Sequence, residues 1–169
     1  MPSLKHLVRR FAIGCALLAL SACDPQRISE LEEGLSTEVD VRDRFDAPDY
    51  VWDEGGGSRT LEYNRQSAGL RNYMITIGPD GKMSALRQVL TPENFARISP
   101  GMGLDEVRRR LGKPAKITPF SLKNETHYDW RFLEPPNTPK LFTVITDRQL
   151  RVLRTQIGPD PTESHGGGG

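Results

Sequence analysis

The chain has 169 residues and a formal net charge of +1, with 23 basic and 22 acidic side chains. Hydrophobic residues make up 36% of the sequence, an ordinary fraction for a globular protein and too small for a membrane-embedded one. The near balance of charge and the scattered arginines give no electrostatic basis for binding nucleic acid.

The first 22 residues differ from the rest of the chain. Three basic residues precede an apolar run, Phe11 to Leu20, which is too short to span a bilayer as a mature helix. This pattern predicts a secretory signal peptide over residues 1–22. It ends in Leu20-Ser21-Ala22-Cys23, which resembles the bacterial lipobox, where the Cys thiol accepts diacylglycerol. We therefore expect lipidation of Cys23, the alternative being a free thiol after an ordinary cleavage site.

Cysteine usage agrees with lipidation. The second cysteine, Cys15, lies in the apolar run and is lost on cleavage, so no disulfide is expected in the mature chain. Cleavage also removes three basic residues and no acidic one, which leaves a net charge of about −2. Several acyl chains on Cys23 would hold the membrane far more firmly than a single myristoyl group.

A short tether, residues 23–27, precedes the first predicted folded segment. We expect one or two helical turns at Ile28–Glu33, then a helix capped by Ser36 or Thr37, where Thr37 with Asp40 approximates a capping box. The turn residues Gly78-Pro79-Asp80-Gly81 predict a hairpin. Strands are expected at residues 50–53, 59–64, 71–77 and 82–90.

The same order of elements recurs downstream. Thr91 followed by Pro92 begins a short helix, and a second helix is expected at 103–111, ended by Gly112 and Pro114. Strands are expected at 115–118, 125–133, 140–146 and 150–157, with a proline-rich loop at Glu134–Pro139. Residues 161–169 are expected to be a disordered tail.

Paired residues at a spacing of 66 or 67 indicate a tandem repeat. The pairs are Gly34 and Gly101, Val41 and Val107, Leu61 and Tyr128, Tyr63 and Trp130, Ile75 and Phe142, Ile77 and Val144, and Leu86 and Leu153. We predict an α+β protein of two tandem two-layer domains, 28–90 and 91–160, each with short helices packed on an antiparallel β-sheet. The two copies should pack together because a lone copy of about 65 residues buries little of its surface, and Tyr63 and Trp130 should be equivalent core positions.

One helix and its flanks carry a family resemblance. The pattern Gly-Met-x-x-Asp-Glu-Val-x-x-x-Leu-Gly-x-Pro, followed by an aromatic strand, resembles the SmpA/OmlA (BamE-like) family of bacterial envelope lipoproteins. The first copy is degenerate, with Asp46 where Gly is usual. The matching residues of the second copy are Gly101, Met102, Asp105, Glu106, Val107, Leu111, Gly112, Pro114 and Trp130.

The resemblance implies a lipoprotein that faces the periplasm and assists the outer-membrane β-barrel assembly machine. The family has one copy of the domain and a Gln-Gly segment after its lipidated Cys, and this chain departs from it in both respects. Tandem copies are also similar to the β-lactamase inhibitor protein fold, which suggests protein binding. The expected partners are the membrane, through Cys23, and an envelope protein. The outer membrane is favoured by the family, and the inner membrane is left open because Asp24 resembles a retention signal.

No catalytic or metal site and no cofactor are expected. Glu125, His127 and Asp129 fall on one face of a predicted strand with Arg131, which is typical of a solvated face, and no second His or Cys is available in the folded region for a zinc-type site. Contact with a protein partner is predicted at two places, with simple packing as the alternative: Tyr50 and Trp52, and the loop residues Pro135, Pro136 and Pro139. An envelope enzyme or a protein inhibitor is the alternative function.

Overall fold

The computed structural model describes residues 28–66 and 68–162. The predicted signal peptide, Cys23, the tether and all but the first two residues of the tail lie outside the described residues. Within the described ranges, no helix is long and apolar enough to cross a membrane.

The first half of the chain, residues 28–90, contains the helix α1 and a four-stranded antiparallel sheet in the order β1-β2-β3-β4. The capping box predicted at Thr37 is confirmed: Asp40 N donates to Thr37 Oγ1 at 3.3 Å, and Thr37 N donates to Asp40 Oδ2 at 2.8 Å. The predicted hairpin at Gly78–Gly81 is also confirmed, since it joins β3 and β4. The elements are α1 (Glu38–Phe45), β1 (Tyr50–Gly55), β2 (Ser58–Asn64), β3 (Asn72–Ile77) and β4 (Met83–Gln88).

The second half, residues 91–162, repeats this order and forms a second antiparallel sheet, β5-β6-β7-β8. Thr91 caps its first helix, as predicted, by accepting a hydrogen bond from Asn94 N at 3.3 Å. The elements are α2 (Pro92–Phe95), α3 (Leu104–Leu111), β5 (Lys116–Phe120), a 3₁₀ turn (Ser121–Lys123), β6 (Glu125–Glu134), β7 (Thr138–Thr146) and β8 (Val152–Pro159). The described chain is thus a mixed protein of two four-stranded antiparallel sheets and a few short helices.

Each half has its own buried apolar cluster, to which its helix and its sheet both contribute. In the first, Val41 and Phe45 of α1 pack with Leu61, Tyr63, Tyr73, Ile75, Ile77 and Met83. In the second, Val107 and Leu111 of α3 pack with Phe95, Ile98, Tyr128, Trp130, Phe132, Phe142, Val144 and Val152, and with Leu90 from the end of the first half. Both helices present the same two positions, i and i+4, to their sheets.

Tyr63 and Trp130 are equivalent and fully buried, which confirms the prediction. The Tyr63 hydroxyl donates to the carbonyl of Asp46 at 3.2 Å, and the Trp130 indole donates to the carbonyl of Gly112 at 3.0 Å. Asp46 and Gly112 each follow the last residue of a helix and have positive φ, 67° and 76°. Each large aromatic thus fills its core and also satisfies a carbonyl at a helix end.

The prediction that equivalent residues of the two copies lie 66 or 67 positions apart is wrong beyond β2 and β6. Leu61 pairs with Ile75, whereas Tyr128 pairs with Val144, so Ile75 corresponds to Val144 and not to Phe142. The segment that separates Trp130 from its cross-strand partner Phe142 is two residues longer than the segment that separates Tyr63 from its cross-strand partner Tyr73. The pairings of Ile77 with Val144 and of Leu86 with Leu153 are wrong for the same reason.

Two further local predictions need correction. The strands β6 and β7 extend into the predicted proline-rich loop, so Pro139 is a strand residue opposite Leu133 and only residues 135–137 lie between the strands. The segment Ile28–Glu33 is helical only at its first two residues and then turns, because Gly34 N and Ser36 O bond to Met83 of β4.

Candidate protein-binding surfaces

A buried carboxylate joins the two halves. Glu62 of β2 is 1% exposed, and its oxygens accept hydrogen bonds from the Trp52 indole at 3.1 Å and from Lys113 N at 2.7 Å. The guanidinium of Arg108 lies 3.9 Å from the same carboxylate. A buried charge is tolerated only when it is paired and hydrogen-bonded, and here Lys113 and Arg108 of the second half provide that support.

Asn72 of β3 makes a second polar connection. Its Nδ2 donates to the carbonyls of Leu111 at 2.8 Å and Lys113 at 3.3 Å, at the C-terminal end of α3. Helix ends leave carbonyls unpaired, so a donor from the other half replaces water there. A Cβ added to Gly112, whose φ is +76°, would lie 3.0 Å from Asn72 Nδ2 and 3.1 Å from Glu62 Oε1, so a side chain here would strain the backbone and force these two polar groups to shift.

The predicted contact residues Tyr50 and Trp52 lie near this junction. Trp52 is half-buried under the guanidinium of Arg109, whose Cζ is 4.7 Å from the ring centroid. Tyr50 is 52% exposed and packs on Trp52 with ring centroids 4.4 Å apart. Trp52 therefore contributes to contact between the halves, and contact of Tyr50 and Trp52 with a partner stays a prediction.

An open groove lies between the halves at the other end of the first sheet. It has a volume of about 510 Å³, and it is lined from the first half by Ile28 and by Tyr73, Leu86 and Gln88 of β3 and β4. The turn between β6 and β7 lines it from the second half. The predicted contact residues Pro135 and Pro136 belong to that turn and are joined by a cis peptide bond. The remaining lining residues are Arg71, Leu133 and Asn137.

The carboxylates on the polar face of β6 pair with side chains of the same sheet. Two hydrogen bonds from Arg154 to Glu125, at 2.7 and 2.9 Å, together with a smaller contribution from the nearby His127, lower the pKa of the Glu125 carboxyl to about 2. Asp129 accepts a hydrogen bond from Thr143 Oγ1 at 2.7 Å. In the described ranges no three His, Cys, Asp or Glu side chains are grouped to hold a metal ion.

A second buried carboxylate, that of Asp160, directly follows β8 of the second sheet. Asp160 pairs with Arg131 at 2.6 Å and accepts hydrogen bonds from Thr162 N and Oγ1. Burial raises the pKa of Asp160, but the hydrogen bonds from Thr162 and Arg131 outweigh burial and hold that pKa below its usual value. Arg131 also connects the halves through its main chain, since Gln66 bonds both to its N and to its carbonyl.

The structure brings Pro135 and Pro136 into the groove, but it places the other predicted residues elsewhere. Tyr50 and Trp52 lie on β1, at the edge of the first sheet opposite β4, and Pro139 does not line the groove. The sequence reasoning missed two residues of the other half: Arg71, which directly precedes β3, and Gln88, the last residue of β4. Near Arg71 the sequence offered one local feature, Gly69, which indicates a break in the chain before β3 but no binding site.

Comparisons with known proteins add little. No family model and no curated protein matches the sequence. Among solved structures, the chain is similar to a DUF4309 family protein (YjgB) from Bacillus subtilis subsp. subtilis str. 168, with 14% sequence identity and a TM-score of 0.30. That match covers 77% of this chain and 82% of the other.

Proposed function

We propose that this protein is a non-catalytic, lipid-anchored protein that faces the periplasm and holds a protein partner in the envelope, with a role in outer-membrane protein assembly or integrity. The observation that carries the proposal is the open groove between the halves. It combines apolar side chains with polar groups, as protein-binding and ligand-binding clefts do. The lipobox at Cys23 supports the anchor.

The finer architecture belongs to the same proposal. We propose that residues 28–90 and 91–160 are two tandem BamE-like domains, the first one degenerate. The support is the repeated use of a buried aromatic, Tyr63 or Trp130, to bond the carbonyl that follows each helix. Two isolated bridges, Thr37 with Lys82 and Gly103 with Arg151, connect the start of each helix to the region before the last strand in the same way.

A scaffold must hold its binding surfaces in a constant arrangement. The groove has walls from both halves, so its shape depends on their relative position. Glu62 and Asn72 make hydrogen bonds across the junction, and the Gln66 amide bonds the backbone of Arg131. These contacts support a preorganised groove, which reduces the cost of ordering on binding.

Site-specific photo-crosslinking in intact cells tests the proposal. A photoreactive amino acid is placed at Asn137, an exposed groove residue, and in a matched variant at Lys123, which is exposed at the opposite end of β6. We expect a discrete protein adduct from position 137 and none from position 123. Recovery of β-barrel assembly subunits would support the family role, and another defined partner would retain binding but change the pathway. Absence of an adduct from position 137 would contradict the proposal.

A further inference from the structure

The last strands of the two halves, β4 and β8, are equivalent edge strands of their sheets. Each has a bulge directly after its first residue, Met83 or Val152. Gly34 N donates to the carbonyl of Met83 at 2.7 Å. In the same way, Gly101 N donates to the carbonyl of Val152 at 2.8 Å. The segment before α1 or α3 therefore covers the start of the edge in both halves.

Beyond the bulge, the first half covers its edge a second time. Val89 N donates to the carbonyl of Asn72 at 2.9 Å, and bonded and unbonded positions alternate along an antiparallel pair of strands. Leu86 and Gln88 therefore turn their N–H and C=O groups away from β3. The carboxylate of Glu33 accepts a hydrogen bond from Leu86 N at 3.0 Å, which blocks that position for another strand.

The second half leaves the equivalent positions of its edge open. The outward-facing residues of β8 at these positions are Thr155 and Ile157. Pro100 stands in the place of Glu33, and proline has no side-chain acceptor. Within residues 28–66 and 68–162, no hydrogen bond reaches the outward N–H and C=O groups of Thr155 or Ile157. An unpaired strand edge of this kind is a template for another strand.

The side chains along this edge do not oppose strand pairing. Ile157 is 50% exposed and lies beside an open apolar hollow of about 380 Å³, which Pro92 and Phe95 also line. Arg154 is the one charged residue of β8, and its guanidinium donates two hydrogen bonds to Glu125. The edge therefore carries no unpaired charge that would keep a second strand away.

The edge of β8 is also complementary to itself. When two β8 strands pair around a two-fold axis at Gln156, Thr155 of each chain lies opposite Ile157 of the other. Each such pair exchanges two hydrogen bonds. Arg154 then lies opposite Gly158, so no like charges meet. We propose that two molecules of this protein associate through β8 and join their second sheets into one continuous antiparallel sheet. This inference goes beyond the proposed function and uses no residue of the groove.

Disulfide trapping tests this register. Opposite residues of a non-hydrogen-bonded antiparallel pair have Cα atoms about 4.5 Å apart, a separation that a disulfide can bridge. The full-length Gln156→Cys protein is oxidised with copper phenanthroline in mild detergent and run on a non-reducing gel. We expect a dimer in which peptide mass spectrometry finds a disulfide between the two introduced cysteines.

The equivalent position of β4 provides the matched control. Arg87→Cys places a thiol at an exposed residue of the edge that Glu33 covers, so it should form no more dimer than the unsubstituted chain. The unsubstituted chain gives the background, because it contains Cys15 and Cys23.

The mass of the protein provides a second measurement. Light scattering in the same detergent, corrected for bound detergent, should give twice the mass of one chain for the unsubstituted protein. Ile157→Lys places a charge at the paired edge and should reduce this value to the mass of one chain. Val51→Lys should leave it doubled, since Val51 is a 43% exposed residue of β1, at the edge of the other sheet. Thr155→Pro removes an outward N–H that β7 does not use, and it should also give the mass of one chain.

Three results would each overturn the inference. They are the mass of one chain for the unsubstituted protein, equal disulfide yields from Arg87→Cys and Gln156→Cys, and a doubled mass that Ile157→Lys and Thr155→Pro both retain. Circular dichroism checks that the variants keep the fold of the unsubstituted protein. The proposed function fails separately, through the loss of the crosslink at position 137 in cells.

Discussion

Replacing Asn72 by alanine should weaken the connection between the two halves. The substitution removes the donors to the carbonyls of Leu111 and Lys113, and the bond to Leu111 is buried. A buried carbonyl left without a partner costs about 1–3 kcal/mol. The Lys113 carbonyl is less buried and can bind water, so its loss adds about 0.5–1 kcal/mol. The expected loss of unfolding free energy is therefore about 1.5–4 kcal/mol.

Urea unfolding at 25 °C measures this loss. Trp52, at the junction, and Trp130, in the second core, are the two tryptophans of the chain, so fluorescence follows both regions. Asn137→Ala is the matched control, because Asn137 is exposed and its replacement should change the unfolding free energy by less than about 0.5 kcal/mol. If Asn72→Ala were no less stable than this control, the Asn72 amide would not be satisfying the end of α3.

The remaining predictions concern the second core, the end of β8 and the anchor. Trp130→Ala should lower the unfolding free energy by about 3–5 kcal/mol, and an unchanged thermal midpoint would show that Trp130 does not support the core. Asp160→Asn should be less stable than wild type above pH 4 and should lose this difference as the pH falls below the usual carboxyl pKa of 3.8, since the pKa of Asp160 is lowered on folding. Urea titrations between pH 6 and pH 2 check this, and a difference that grows on acidification would refute it. Palmitate should label the full-length protein but not Cys23→Ser, and equal labelling of both would refute lipidation. Lipidated protein should sediment with outer-membrane markers, and sedimentation with the inner membrane would reverse that expectation.

The local elements were largely predictable because their signals are short in range. The caps at Thr37 and Thr91 need only a hydroxyl three residues before a backbone N–H. The turn Gly78–Gly81 needs only its own glycines, and β6 alternates between buried and half-exposed residues, as its sequence predicts. Each of these features depends on residues within one turn or one strand.

The candidate site was only half predictable. Pro135 and Pro136 stood out because a proline pair marks a turn, but nothing near Arg71 or Gln88 in the sequence shows that they lie beside it. The turn that carries the prolines belongs to the second half, whereas both polar groups lie in the first. A groove between two folded units follows from how their surfaces meet, which local patterns do not encode.

Periodicity and turn chemistry act over a few residues, so the amino-acid pattern alone predicts the order of helices and strands, the matching apolar positions of α1 and α3, and the burial of Tyr63 and Trp130. The partners of the buried polar side chains depend instead on how distant segments pack together. Glu62 and Asn72 look like ordinary polar positions of half-exposed strands, yet both are almost fully buried. They are buried because the end of α3 supplies the backbone groups that pair with them, across 39 to 51 residues of sequence.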